Sequence, residues 1–294
     1  MKRVFALILA LVMALSLVAC GNDSGKEDDG AKVVKIGVFE PQTGDNGAGG
    51  KQEILGMEYA HSLFPTVEIG GETYEVKLEI VDNRTTPENG PSAAAELINR
   101  DVSIVLGSYG SGVSIAGGAV FQEAGMPALG TSCTNPQVTA DCDVYFRLAF
   151  LDPFQGTVLA NYAYNELGVT TAYTLAMLGS DYDQGLVNYF AEAAEALGMT
   201  VITDSFPTGN ADFNSYLNKA KSEGADVIFT PVSIAYAVQI IKQAASLGIE
   251  APFLGSDTLD DNMVLEAIKG TDPDDEEVVL ELSLIHISEP TRRY

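Results

Sequence analysis

The sequence predicts an α/β protein built from two Rossmann-like lobes, each with a mostly parallel sheet. Two observations predict this fold: short apolar segments alternate with longer amphipathic ones, and the alternation starts again near residue 150. Strands separated by helical segments in this way form parallel sheets with helices on both faces. The 294 residues, 46% of them hydrophobic and 19% charged, are enough for two domains with separate cores.

The first twenty residues form a segment of their own. Lys2 and Arg3 precede an apolar stretch over residues 4–18, which is shorter than the ~20 residues of a membrane span and is typical of an export signal. The stretch ends in LVACG, which resembles a bacterial lipobox. We therefore predict a lipoprotein signal peptide over residues 1–20 with a lipidated Cys20; the alternative is an ordinary signal peptide. Residues 21–32 are polar and glycine-rich, and we expect a flexible tether there.

Residues 33–150 are predicted to form the N-terminal α/β lobe. Segment 74–83 alternates strictly between apolar and polar residues, which predicts a half-buried edge strand. The predicted strands are 33–41, 74–83, 102–108 and 126–132, and the predicted helices are 50–64, 87–100 and 112–125.

Residues 151–270 are predicted to form a second α/β lobe that is incomplete. Its segments repeat the alternation of the first lobe. The predicted helices are 153–168, 184–198, 212–224 and 233–248, and the predicted strands are 171–179, 199–206, 225–231 and 251–257.

The C-terminal end changes composition abruptly. An acidic segment covers residues 271–281, and residues 282–292 then match, codon by codon, a translation of the transposase adapter used in sequencing libraries. We therefore expect residues 282–294 to be an adapter-derived artefact. On this interpretation the natural sequence ends near Glu281 and the C-terminal part of the fold is missing.

Ligands of such folds bind beyond the carboxyl ends of the strands, and the loop VLGSYGSGVSIAGG follows one predicted strand. Its glycines at 107, 110 and 112 give G-x-x-G-x-G, which fits neither the dinucleotide fingerprint G-x-G-x-x-G nor a P-loop. No lysine occurs between Lys77 and Lys219. The loop instead offers serine hydroxyls, backbone N–H groups and a helix amino end, which suit a carboxylate better than a triphosphate.

Further polar side chains follow other predicted strands. The segment GTSCTNP places Ser132 and Thr134 after a strand of the first lobe; the alternative for either hydroxyl is helix capping or turn formation. In the second lobe, Tyr182 and Asp257 lie in loops that follow strands. A hydroxyl-rich anion site would bind the carboxylate of a ligand, and an acid opposite it would bind an ammonium group. A carboxylate and an ammonium group together are the charge pattern of an α-amino acid.

Composition and motifs argue against other classes of function. The formal net charge of −25 disfavours a nucleic-acid partner. His61 lies in a predicted helix rather than at a strand end, and the sequence contains no G-x-S-x-G elbow. Catalysis therefore has weak support, and we predict that the protein is not an enzyme.

The cysteines do not indicate a metal site. There is no CxxC and no His/Cys cluster, so no metal or cofactor is expected. Cys133 and Cys142 are nine residues apart in a chain with a predicted export signal. They either form a disulfide or stay free thiols, because spacing alone does not establish the required geometry.

Seven segments together resemble one protein family, the bacterial ABC-transporter substrate-binding lipoproteins of the leucine/isoleucine/valine-binding type. The resemblance covers residues 33–270 and implies a type I periplasmic-binding fold, in which two α/β lobes joined by a three-stranded hinge close around a small solute. The segments, in order, are IGVFEPQTGDNGAGGKQEILGMEYA, TTPENGPSAAAELINRDVSIVLGSYGSGVS, GTSCTNPQVT, YFRLAFLDPFQGTVLANYA, DYDQG, DFNSYLNKAKSEGADVIF and FLGSD.

The resemblance implies roles for five residues. Ser111 matches the serine that binds the ligand carboxylate, and Thr134 matches the threonine that contacts both carboxylate and ammonium. Ser132 matches a position whose backbone carbonyl accepts from the ammonium. Tyr182 resembles the second-lobe tyrosine that closes over the ligand, and Asp257 falls where an acid pairs with the ammonium.

Two positions depart from the family pattern. Gly49 stands where an aromatic residue can line the side-chain pocket, and the region around Ser233 lacks a second tyrosine found in some members. These departures concern the ligand side chain and not the recognition of its backbone.

The resemblance implies an extracytoplasmic, lipid-anchored, monomeric solute-binding component of an ABC importer, with permease subunits as partners. Its ligand would be an amino acid, branched-chain or related. Two alternatives remain from the sequence: a ligand-sensing receptor domain on the same fold, and an exported α/β enzyme.

Overall fold

The structure is a computed structural model that describes residues 32–259 and 261–269. The predictions made for residues 1–31, including lipidated Cys20, and for residues 271–294 lie outside these ranges.

The first sheet has six strands: β1 Val33–Glu40, β2 Thr66–Ile69, β3 Glu72–Asp82, β4 Ile104–Leu106, β5 Ala128–Gly130 and β6 Tyr145–Arg147. They are arranged in the order β2-β3-β1-β4-β5-β6. All neighbours pair in parallel except β2 and β3, which form an antiparallel hairpin. Pairing of β1 with β3 runs from Val33 opposite Glu75 to Glu40 opposite Asp82.

Four helices belong to this sheet. Three of them match the predicted helices within a few residues at their ends, and the short α4 was not predicted. The helices are α1 Gly47–Leu63, α2 Gly90–Asn99, α3 Ser111–Ala124 and α4 Gln137–Ala140.

The predicted edge strand is not at the edge. Segment 74–83 alternates in sequence, but β3 lies between β1 and β2, and β2 forms the edge of the sheet. β2 is exposed along its whole length and turns into β3 through Gly70 and Gly71, both at positive φ. A hairpin with positive φ at both turn positions favours glycine, so the GG pair at 70–71 was the signal for this strand.

The second sheet has four strands: β7 Thr171–Met177, β8 Thr200–Phe206, β9 Val227–Phe229 and β10 Phe253–Leu254. They are all parallel and are arranged in the order β10-β9-β7-β8. The helices of this lobe are α5 Asp152–Asn165, α6 Asp181–Ala196, α7 Asn214–Ser222, α8 Ile234–Ser246 and α9 Asn262–Lys269. Strands and helices alternate as predicted, and the short helix α9 follows them.

Each lobe has its own core. In the first, Phe39, Phe121 and Tyr145 pack edge to face, with the Phe39 and Phe121 ring centroids 5.4 Å apart. The second lobe has two clusters, one around Tyr173 and Phe206 and the other around Phe190 and Phe229. Separate cores on separate sheets confirm the predicted α/β class with two lobes; the boundary near residue 150 stays a prediction.

Cys133 and Cys142 are both free and buried in the first lobe. The thiol of Cys142 donates to the carbonyl of Gly118 at 3.4 Å, and burial raises the pKa of the Cys133 thiol to about 11. Of the two alternatives left by the sequence, the structure therefore has the free thiols and not the disulfide. Within the described ranges, the helices are too short or too polar to cross a membrane.

Candidate ligand-binding cleft

A cavity of about 340 Å³ lies between the two lobes. Its walls come from loops that follow β1, β3, β4 and β5 of the first sheet and β7, β8, β9 and β10 of the second. The carboxyl ends of both parallel sheets therefore meet at one cleft, as expected for this class of fold. The volume is within the range of small-molecule sites.

The amino end of α3 forms one wall. Gly110 precedes the helix at a φ of 113°, a conformation that favours glycine, and Ser111 is the first helical residue. The Ser111 hydroxyl is only 1% exposed and accepts from the backbone N–H of Asn135 at 3.2 Å. Backbone N–H groups at a helix amino end favour a bound anion.

The two lobes contact each other beside this helix. A Cβ on Gly112 would lie 2.9 Å from Oδ2 of Asp181 in the second lobe. The side chain of Asn135 donates across the cleft to the backbone carbonyl of Asp181 at 2.8 Å. A glycine at 112 thus lets the start of α3 approach the start of α6.

Tyr109 covers the first-lobe floor of the cavity. A Cβ on Gly49 would lie 2.4 Å from Cζ of the Tyr109 ring, so the absence of a side chain in α1 makes room for this ring. The Tyr109 backbone N–H donates to the buried carboxyl of Glu40 at 2.7 Å. Burial, with Glu53 nearby, holds the pKa of Glu40 well above its ordinary value.

Ser132 lines the cavity and is tied to α1. The hydroxyls of Thr131 and Ser132 both donate to the carboxylate of Glu53. The Ser132 side chain is therefore bonded within the first lobe, and the role of its backbone carbonyl toward an ammonium group stays a prediction.

Thr134 follows the lining residue Cys133 and is buried without lining the cavity itself. It is 1% exposed, its hydroxyl has no hydrogen-bond partner in the protein, and its carbonyl accepts from the N–H of Asp152 at 3.1 Å. Arg147 holds the same loop, because its guanidinium donates to the carbonyls of Cys133 and Asn135 at 3.1 and 2.8 Å.

Asp152 is a buried acid at the start of α5. Neither carboxyl oxygen has a hydrogen-bond partner and the residue is 0% exposed. Burial, with the negative charge of Asp257, raises the pKa of this carboxyl to about 7, although the neighbouring Thr134 hydroxyl and the charge of Arg147 act in the opposite direction. Gln155, one turn later, has a buried Oε1 without a partner, while its Nε2 donates to Asp257 at 3.0 Å.

The second-lobe wall carries Tyr182 and Asp257. The Tyr182 hydroxyl donates to Oδ1 of Asp257 and lies 3.0 Å from Oγ of Ser256. Burial and the neighbouring Asp257 raise the pKa of Tyr182 well above its ordinary value, so the phenol stays a donor. Gln155 and Tyr182 therefore both donate to Oδ1 of the Asp257 carboxylate.

The structure brings four predicted residues, Ser111, Ser132, Tyr182 and Asp257, around one cavity; the fifth, Thr134, is buried beside the lining residue Cys133 and does not itself line the cavity. Sequence reasoning missed Tyr109, Glu53, Asp152 and Gln155. Only Tyr109 had a visible signal, because it lies inside the glycine-rich loop itself. The others belong to helices, where their side chains look like ordinary solvated residues.

The arrangement suits a small zwitterion. Ser111 and the amino end of α3 offer donors to a carboxylate, and Asp257 on the opposite lobe offers an acceptor to an ammonium. Among the residues that the structure describes, no cluster of three His, Cys, Asp or Glu could hold a metal ion.

Comparison with known proteins agrees with this geometry. A family model for periplasmic binding proteins matches residues 33–273. An amino acid binding protein of Pseudomonas aeruginosa is 30% identical over 87% of this chain and 66% of its own length. A Leu/Ile/Val-binding protein homolog of Brucella melitensis is 30% identical over 87% of this chain and 70% of its own.

Solved structures show the same architecture. The leucine-binding protein LivK of Thermotoga maritima is similar with a TM-score of 0.75 and 32% identity, over 80% of this chain and 68% of that one. The branched-chain amino acid transporter substrate-binding protein LivJ of Streptococcus pneumoniae, solved with isoleucine, has a TM-score of 0.72 and 27% identity, over 80% of this chain and 67% of that one.

The chain spans about two thirds of the length of these relatives. They are described as binding proteins and not as enzymes, and a periplasmic binding protein works outside the cytoplasm. The family match covers most of the chain, and the two-lobed fold and the interlobe cleft agree with it. This chain belongs to the periplasmic binding protein family.

Proposed function

We propose that the protein is the solute-binding component of an ABC importer and binds an amino acid, branched-chain or related, in the interlobe cleft. One observation carries the proposal: the cavity has the amino end of α3 with Ser111 on one lobe and the carboxylate of Asp257 on the other. A zwitterion that bridges the two stabilises the closed arrangement of the lobes through contacts that neither lobe offers alone. The names of the relatives support an amino acid as the ligand.

Five residues form the proposed recognition set. Ser111 binds the carboxylate, Thr134 contacts carboxylate and ammonium, and the backbone carbonyl of Ser132 accepts from the ammonium. Asp257 pairs with the ammonium, and Tyr182 closes over the ligand. The unpartnered hydroxyl of Thr134 and the hydrogen bond between Tyr182 and Asp257 support this assignment.

We also propose a lipid anchor at Cys20, permease subunits as partners and a monomeric state. The lipobox-like LVACG at the end of the apolar segment supports the anchor. A Cys20→Ala variant is expected to move the protein from the membrane fraction to the soluble fraction of the producing cells.

Thermal-shift screening against amino acids, amides and urea tests the binding function. We expect at least one α-amino acid to raise the Tm by several degrees, as mass action requires for a ligand that binds only the folded state. Ser111→Ala and Asp257→Asn should each reduce that shift strongly. If no α-amino acid stabilises the protein, or if both variants respond like the unsubstituted protein, the proposal is wrong.

A further inference from the structure

The cavity wall offers hydrogen-bonding groups beside apolar ones. Eight of its lining residues are Ser or Thr and five are Asp or Glu, and its apolar surface comes from the rings of Tyr109 and Tyr182 and from Val113, Leu178, Met177 and Pro87. In pockets of this kind a small number of placed polar groups fix the orientation of the ligand and provide specificity. A polar group of this wall that has no partner in the protein can therefore select among ligand side chains.

Ser233 is the clearest polar group without a protein partner. It lines the cavity, it is 8% exposed, and its hydroxyl has no hydrogen-bond partner. It is also the N-cap residue of α8, where a serine usually accepts from the helix, yet here its side chain makes no capping bond. A buried hydroxyl without a partner costs stability unless a ligand or water satisfies it.

The amino end of α8 adds donors at the same place. The helix has 13 residues, and the N–H groups of Tyr236 and Ala237 are already bonded to the carbonyl of Ser233. The N–H groups of the first turn that precede them point toward the helix end. Together with the Ser233 hydroxyl, this end of α8 favours an acceptor and disfavours a cation.

The carboxylates of the cavity disfavour a further negative charge on the side chain of the ligand. Asp45, Glu88, Asp181, Asp183 and Asp257 line it, and none of the lining residues is Lys, Arg or His. A second carboxylate on the ligand would face this negative field without a compensating cation. An uncharged group that accepts hydrogen bonds satisfies both restrictions.

We propose that Ser233, with the amino end of α8, binds an uncharged hydroxyl or amide on the side chain of the ligand. This inference rests on the proposed function, which places the α-carboxylate at Ser111 and the ammonium at Asp257. The protein then prefers amino acids such as threonine, asparagine or glutamine over aliphatic ones of the same shape. A buried site that hydrogen-bonds a polar group discriminates strongly against an analogue that lacks it.

Calorimetry with three pairs of similar shape tests the preference: L-threonine with L-valine, L-asparagine with L-leucine, and L-glutamine with L-methionine. We expect the polar member of at least one pair to bind the purified protein ten-fold or more tightly than its partner. Ser233→Ala should remove most of that ratio by weakening the polar member. Ser233→Thr, which keeps a hydroxyl, should retain it.

Ser246→Ala is the matched control, because Ser246 lies at the other end of α8 and its hydroxyl donates to the carbonyl of Lys242. It should leave the ratio unchanged. If the aliphatic members bind as tightly as the polar ones, or if Ser233→Ala weakens both members equally, the inference is wrong and the proposed function stands. If none of the six amino acids binds, the inference is wrong, and if no other α-amino acid stabilises the protein in the thermal-shift screen, the proposed function fails as well.

Discussion

The absence of a side chain at Gly49 determines where the ring of Tyr109 can lie. The sequence shows a glycine at a position where the family can have an aromatic residue, which suggests a pocket that lacks one. In the structure the ring of Tyr109, from the neighbouring loop, fills the space that a side chain at 49 would take. The pocket therefore has an aromatic wall, but the ring belongs to the loop after β4 and not to helix α1.

We expect Gly49→Ala to push the Tyr109 ring into the cleft, because the added Cβ would lie 2.4 Å from Cζ of the ring. Overpacking of this kind costs about 1–3 kcal/mol, and ligand affinity should fall with it. Thermal unfolding and calorimetry would measure the two effects. A Gly49→Ala/Tyr109→Ala double variant should recover part of the stability; an unchanged Tm in Gly49→Ala would contradict the close contact.

Local sequence patterns predicted the strands and helices that are buried on one face or on both. They predicted short and exposed segments less well. Strands β1, β7 and β8 and most helices were predicted within a few residues. The hairpin strand β2, the three-residue strand β6 and the four-residue helix α4 were missed, because short, exposed or irregular segments carry little periodicity. Which strand becomes the sheet edge is a property of pairing, and the alternation within 74–83 could not show it.

Helix α1 offers a matched pair of glycine substitutions. Nothing lies within 4 Å of a Cβ built on Gly56, whereas one on Gly50 would lie 2.1 Å from the backbone carbonyl of Pro41. Gly56→Ala should therefore stabilise the protein by about 0.5–1 kcal/mol, because alanine has less conformational entropy to lose.

Gly50→Ala should destabilise it by more than Gly56→Ala stabilises it, since a backbone atom cannot move aside cheaply. Denaturant unfolding would measure both. Equal effects of the two substitutions would show that α1 does not pack against Pro41 as described.

At the scale of the whole molecule, burial raises the pKa values of carboxyl groups in both lobes, of which Asp183 lines the cleft. Asp152 and Asp183 both reach a pKa of about 7 and Glu40 is raised as well. The folded state therefore binds protons that the unfolded chain has released above pH ~4. Stability then decreases as pH rises through the window between ~4 and ~7, because the native form holds more protons there.

Asp152 is the sharpest test of this pH dependence, because neither of its carboxyl oxygens has a partner. We expect the Tm of the ligand-free protein to fall between pH 5 and pH 8, and Asp152→Asn to reduce that fall. A pKa raised from 3.8 to about 7 corresponds to at most about 4 kcal/mol across the window. Scanning calorimetry at several pH values would measure it, and identical slopes for the two proteins would exclude Asp152 as a cause.

The sequence by itself determined the two-lobed α/β class and the order of most of its strands and helices, and it predicts that the glycine-rich loop favours a carboxylate. Periodicity reports which side of a segment is apolar, and the glycine spacing with the absent lysine fits neither a dinucleotide fingerprint nor a P-loop, so these properties are local. Only the tertiary structure decided that Tyr109 replaces a missing aromatic wall, that Gln155 and Tyr182 hold Asp257, and that the Ser233 hydroxyl has no partner. Those properties depend on contacts between residues far apart in the chain, because burial and hydrogen-bond partners exist only once the two lobes have folded around the cleft.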